Sequence, residues 1–198
     1  QKLGDLAGRT LYASGKASTP EYALAYLLEK AGVKGVKVEW KAEHSEALAA
    51  FLGAPNSLAM LPQPFVTVAQ TKNEQIRIAL DLTREWEAVT GDTMVTGVTV
   101  ARQDFLDNNP EAAARFLSDH RASAAYVSTN VRAAAALTGE YGIVDAQVAL
   151  KALPYCNITS MEGDAMKNAL VPFYRMLFVQ NPLSVGGKIP DDAFYFKP

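Results

Sequence analysis

Between Arg9 and Leu82 the sequence switches repeatedly between two hydrophobic periods, and this switching narrows the folds open to it more than any other feature. RTLYA (9–13) reads as a short strand. PEYALAYLLEKAG follows with a helical period, in which Tyr22, Ala25, Tyr26 and Leu28 define an apolar face and Gly32 a C-terminal stop. VKVEW (36–40) alternates at period two, HSEALAAFLGA is helical from His44 or Ser45, and SLAML (57–61) is a compact apolar strand. PFVTVAQTK is a short helix or extended piece, and IRIALDL (76–82) is a fourth strand. Strands alternating with helices specify a parallel sheet covered on both faces, so the expected class is α/β.

The pattern changes after VTGDT. MVTGVTVA (94–101) reads as one more strand, and helices then take over. NPEAAARFLSDHRASAAYVST places Asn109 as cap, Pro110 at the first helical position and Glu111 in the first turn. VRAAAALTGEYG and DAQVALKAL are shorter helices. GDAMKNALVPFYRMLFVQN is another, in which Pro172 is expected to introduce a kink or shift the start. The tail from Pro182 is loop-like. Two regions result, 6–92 and 93–198. A lone strand cannot satisfy its backbone groups, so 94–101 is expected to join the first sheet or to pair with sequence outside this chain.

Charge and composition exclude several function classes. Lys and Arg number 10 before Thr93 and 9 after it, against 11 and 10 Asp plus Glu, so no half is basic and no nucleic-acid footprint exists. A single cysteine, Cys156, excludes an internal disulfide, and with His44 and His120 as the two histidines a metal centre is not expected. Residues 47–71 carry no charge, but Pro55, Asn56, Pro62, Gln63 and Pro64 break them into pieces shorter than the roughly 20 residues a membrane span needs. Neither a nucleophile–base pair nor paired carboxylates stand out, so no catalytic residue and no cofactor are expected.

Two loops carry the candidate binding chemistry. In YASGKASTPEY a strand ends and a helix begins, placing backbone amides at the carboxyl edge of the sheet, where open α/β sheets bind ligands. Ser14, Ser18 and Thr19 add hydroxyls, Lys16 a charge, and Gly15 allows close approach. The same spacing admits a capping box, with Ser18 bonding the Glu21 amide and Glu21 returning the bond. LPQPFVT (61–67) leaves the third strand at the same edge. There Gln63 offers both donor and acceptor, Pro64 stiffens the loop and Phe65 supplies a flat apolar wall. An ordinary strand-to-helix turn is the alternative reading of that loop. His44, between Glu43 and Ser45, is expected at an exposed, charged helix start.

LAGRTLYASGKASTPEYALAYLLEKAGV, AMLPQPFVTVAQTK and GVTVARQDFLDNNPEAAARFL, in that order, closely resemble the ABC-transporter solute-binding proteins of the nitrate/sulfonate/taurine and thiamine-precursor group. LPYCNITSMEG and NPLSVGGKIPDDAFYF resemble the C-terminal part of one branch of it. The resemblance implies a type 2 periplasmic-binding architecture, two lobes closing on a ligand, with 6–92 as the complete second α/β lobe and 93–198 as the mostly helical return into the first. It further implies that this chain is a C-terminal stretch, with the export signal and half the cleft lying before Gln1. The function it implies is that of an extracytoplasmic component of an ABC importer, periplasmic or lipid-anchored at the cell surface. That component, a monomer at full length, would capture a small polar or anionic organic solute and hand it to a membrane permease. The implied ligand site comprises Ser14, Gly15, Lys16, Ser18 and Thr19 with Gln63, Pro64 and Phe65 opposite. Relatives often carry an acidic residue at the Gln63 position, so the glutamine removes a charge. Two alternatives share this fold: an enzyme like the thiamine-pyrimidine-precursor synthase, and a ligand-sensing regulatory effector domain.

Overall fold

A computed structural model describes residues 1–197. Its centre is a three-stranded parallel sheet of β1 (Thr10–Ser14), β2 (Lys37–Lys41) and β3 (Leu58–Met60), in the order β2-β1-β3. Leu11 faces Val38 on one side and Leu58 on the other, and Ala13 faces Trp40 and Met60. Each parallel step needs a crossover, and α1 (Thr19–Lys30) and α2 (His44–Leu52) supply them. The helix α3 (Phe65–Lys72) follows β3.

Helix α1 buries Ala23, Leu24 and Leu27, whereas Ala25 is exposed, so the buried stripe is displaced from the face expected from the sequence. The displacement follows the helix's neighbours, because α1 packs between a 3-10 turn at Leu3–Leu6, the helix α4 (Leu82–Thr90) and a distant C-terminal helix. Tyr22 and Tyr26 are partly buried against this cluster, in the core role their spacing suggests.

The expected strand at 76–82 does not form. Residues 76–80 have no regular structure, Ile78 is half exposed, and Leu80 and Leu82 turn onto the core beside α4. Period-two alternation sets which side chains point inward, but a strand also needs a neighbour to receive its hydrogen bonds. Helix α4, missed in the sequence, is well signalled in hindsight: the Asp81 side chain accepts from Thr83 N at 3.0 Å, and Gly91 closes the helix with φ 73°.

Residues 94–101 likewise adopt no regular structure. Met94 and Val95 pack on the main core, but Val98 and Val100 are 51% and 74% exposed. The segment thus joins no sheet among the described residues. Helices then follow: α5 (Gln103–Asn108), α6 (Pro110–Thr129), α7 (Val131–Glu140), α8 (Ala146–Ala152) and α9 (Gly163–Gln180). Asn109 is the N-cap residue of α6, with Pro110 and Glu111 in the expected first turn, but its side chain makes no cap bond; it donates instead to Phe105 O at 3.1 Å and so finishes α5, a helix not expected from the sequence. Asp145 does cap α8, accepting from Gln147 N and Val148 N.

Alanines let α6, α7 and α8 approach closely, with Ala113, Ala124, Ala134, Ala135, Ala149 and Ala152 all buried. At Gly139 an added Cβ would lie 2.9 Å from the Ala146 Cβ, so α7 and α8 touch there without room for a methyl group. Helix α9 runs through Pro172 and returns Leu170, Phe173, Met176 and Leu177 to the interior, a three- and four-residue spacing that makes one stripe. That stripe closes on α1 and α4. The principal core therefore joins Leu3, Leu6, Ala23, Leu27 and Trp86 to Phe173, Met176 and Leu177. Trp86 sits at its middle, with ring centroids 5.3 Å from Tyr26 and 5.6 Å from Phe173.

The tail is fastened to α9. Lys167 Nζ lies 2.7 Å from Asp192 Oδ1, Lys197 Nζ lies 2.7 Å from Asp164 Oδ1, and Tyr195 is buried between them. Asp192 is exposed but paired. Among the described residues, no helix is long and apolar enough to cross a membrane.

Candidate functional site

Because all three strands are parallel, the loops at 15–18, 42–43 and 61–64 leave the same edge of the sheet, and each runs directly into a helix. In the order β2-β1-β3 the chain goes first to one side of β1 and then to the other, so the reversal falls beside the end of β1. Crevices of this kind form at such reversals.

Ser14 ends β1 and is 4% exposed. Its hydroxyl is hydrogen-bonded to Nδ1 of His44, the first residue of α2. The His44 ring rests against Phe65, the first residue of α3, with centroids 5.2 Å apart and planes inclined by 50°. One residue from each of the three strand-to-helix connections thus meets the others. The expected exposed position of His44 is corrected: the residue is half-buried and has two specific partners. The sequence places His44 thirty residues from Ser14, and only the 2-1-3 strand order brings them together.

The remaining predicted residues divide. Lys16 and Ser18 are exposed, and Gly15 and Thr19 half-buried, so the turn is open to a solute. Gly15 holds φ at 87°, and a Cβ there would lie 2.9 Å from Pro20 Cγ. The expected capping box does not form. Ser18 Oγ turns back to donate to Gly15 O at 2.7 Å, and Glu21 Oε2 accepts from Ala17 N at 2.6 Å. Ala17 adopts φ 59°, a left-handed conformation that aims its amide at Glu21. Among the described residues, the amides of Ser18 and Thr19 are left unclaimed.

Gln63 is half-buried and has a local partner. Its Oε1 accepts from Thr67 Oγ1 at 2.8 Å and Thr67 N at 3.3 Å, so its acceptor serves the start of α3. Pro64 follows a cis peptide bond and delivers Phe65 to His44. At α2 the same economy appears, with Glu46 Oε2 accepting from Ala42 N and Glu43 N. Glu21, Glu43 and Glu46 stand around this edge with Lys16 as the nearby cation of the turn, so carboxylates already neutralise part of the positive ends of α1 and α2.

A second polar cluster lies on the exposed side of α6. His120 Nδ1 is 3.3 Å from Ser160 Oγ, and Arg121 pairs with Glu162 at 2.6 Å. Two concavities, of about 320 and 400 Å³, lie elsewhere: one beside Val127, Leu153 and Ile158, the other at the amino edge of the sheet around Arg9 and Asn56. Arg9 there already donates to Asn56 O at 2.8 Å. Chemistry favours the carboxyl edge, where a buried hydroxyl, an imidazole and an aromatic face converge. Among the described residues, no cluster of His, Cys, Asp or Glu is arranged to hold a metal ion.

No family model and no curated protein matches this chain. Among solved structures, one described as an ABC transporter from Parabacteroides distasonis is similar, with a TM-score of 0.73 at 22% sequence identity. The match covers 96% of this chain and 66% of the other, so this chain spans less than two thirds of its neighbour's length. At that identity the likeness bears on architecture alone. The chain therefore shares an α/β fold, with its small parallel sheet and many helices, with a protein described as an ABC transporter.

Proposed function

We propose that this chain is part of the solute-binding component of an ABC importer, of the nitrate/sulfonate/taurine and thiamine-precursor group and of type 2 periplasmic-binding architecture. In this reading 6–92 forms one lobe, and its sheet edge forms one wall of a cleft for a small polar or anionic organic solute. Residues 93–162 are assigned to the return toward the other lobe, whereas α9 packs in the core of 6–92, and the loaded protein docks on a membrane permease outside the cytoplasm. The observation that carries the reading is the meeting of Ser14, His44 and Phe65 at the carboxyl edge, beside the unclaimed amides of Ser18 and Thr19. Likeness in fold to a protein described as an ABC transporter supports it.

Binding rather than turnover is the favoured chemistry. The Ser14–His44 contact, and on the surface the His120–Ser160 contact at 3.3 Å, are features that favour an enzyme of the same fold. Ser14 is buried, however, and no carboxylate among the described residues bonds the His44 ring to orient it as a base.

The test is a thermal-shift screen of small organic acids, sulfonates, amino acids and pyrimidines, since a solute that binds the native state raises Tm. Amide chemical shifts then locate the strongest stabiliser. Perturbation at 14–19, 42–44 and 61–65 is expected. Perturbation centred on the Arg9–Asn56 concavity, or stabilisation by no solute, would count against the proposal.

A further inference from the structure

The Ser14–His44 contact fixes a property of the site that the fold alone does not. The Ser14 hydroxyl is buried, and among the described residues His44 Nδ1 is its hydrogen-bond partner. A buried hydroxyl hydrogen without an acceptor is costly, so the arrangement that satisfies it has Ser14 Oγ–H donating to Nδ1. In a neutral imidazole an accepting Nδ1 requires the hydrogen to sit on Nε2. Among the described residues, Nε2 has no partner in the protein. Phe65 packs against the ring and limits its rotation, so Nε2–H is a donor held ready with no work assigned to it.

We propose that His44 is a specificity-determining residue of the cleft, its Nε2–H donating to an acceptor atom of the solute while Ser14 acts as the positioning residue that sets the tautomer. This inference rests on the proposed carboxyl-edge site and adds the chemical class recognised there: a solute whose docking end carries an acceptor oxygen, such as a carboxylate, sulfonate or carbonyl. Carboxylates of Glu21 and Glu46 already bind backbone amides beside the site. His44 therefore supplies a donor that these carboxylates leave available. A solute presenting only donors at that end finds no acceptor on the ring.

Long-range proton–nitrogen correlation spectra of the His44 ring test the tautomer, recorded well above the ordinary imidazole pKa. The Nε2–H form is expected, drifting toward a mixture in Ser14→Ala. An Nδ1–H form in the unmodified chain overturns the proposal. Recognition is tested with inorganic sulfate as a purely accepting probe, against sodium chloride at matched ionic strength. Sulfate is expected to shift His44 Nε2 and the Thr19 amide with one common affinity. His44→Asn retains an acceptor for Ser14 in place of Nδ1 but lacks the Nε2 donor. It should keep its Tm and bind sulfate about three- to tenfold more weakly, the range expected for one lost hydrogen bond.

Sulfate shifts at Thr19 with none at His44, or unchanged affinity in His44→Asn, overturn the role of His44 and leave the site standing. Shifts at neither position overturn both.

Discussion

Replacing Trp86 tests whether the core that joins α1, α4 and α9 is one cooperative unit. Trp86 is 2% exposed and packs between Tyr26 and Phe173. An aromatic side chain of this kind buries about 150–250 Å², which at about 25 cal/mol per Å² amounts to roughly 4–6 kcal/mol as an upper bound. Measured truncations of buried aromatics to alanine cost about 3–5 kcal/mol, and Trp86→Ala is expected in that range. Trp86→Phe should behave differently. The indole Nε1 is buried without a hydrogen-bond partner among the described residues. Removing such an orphan donor returns about 1–3 kcal/mol, which offsets the smaller apolar area of phenylalanine. The expected net cost is within about 1 kcal/mol.

Urea unfolding followed by far-ultraviolet circular dichroism measures both variants without relying on the tryptophan removed. A single transition displaced as a whole is expected for Trp86→Ala, since Phe173 on α9 loses its neighbour together with Tyr26 on α1. Two results would refute the reasoning. One is a Phe variant as costly as the Ala variant, meaning that the indole nitrogen is satisfied. The other is a biphasic transition in which only the first ninety residues weaken, meaning that α9 does not share this core.

Gly15→Ala forces a methyl group to within 2.9 Å of Pro20 Cγ at φ 87°, so it should lower stability by about 1–3 kcal/mol, read as a drop in Tm; an unchanged Tm would mean the turn re-forms freely. Gln63→Ala removes the acceptor for Thr67 and should cost about 1 kcal/mol, read as a drop in Tm, and an unchanged Tm would mean that Thr67 finds another acceptor. The tail clasp should loosen in acid. The Asp192 carboxyl is held below its ordinary value by its hydrogen bond to Lys167 and then by that lysine's charge, and Asp164 likewise by Lys197. A depressed carboxylate contributes stability in full above its unfolded pKa and loses it as the pH falls through the folded one. Lys197, raised by Asp164, holds its contribution up to the ordinary lysine range and loses it as the pH rises through its folded pKa. Hydrogen exchange at 191–197 should therefore accelerate, relative to its intrinsic rate, below about pH 4, and flat protection there would contradict the ion pairs.

What the sequence determined is local. Apolar periodicity and the punctuation of Gly, Pro and Asp located β1, β2, β3, α1 and α2 within a residue or two, because period and capping depend on near neighbours, and left α3 open between helix and extended chain. The same rules failed at 76–82 and 94–101, where the side-chain pattern of a strand is present but no neighbouring strand receives its hydrogen bonds among the described residues. Of the site, the turn at Ser14–Thr19 and the aromatic wall of Phe65 were legible as loops at one sheet edge. Their partner was not. His44 looks like any charged helix start until strand order 2-1-3 sets β1 between β2 and β3, which lays α2's first residue over the end of β1. The roles of Ser18 and Gln63 were likewise decided in three dimensions, where each side chain took the acceptor or donor that the folded backbone left nearest. Sequence spacing lists the groups able to bond, and only tertiary packing settles which of them meet.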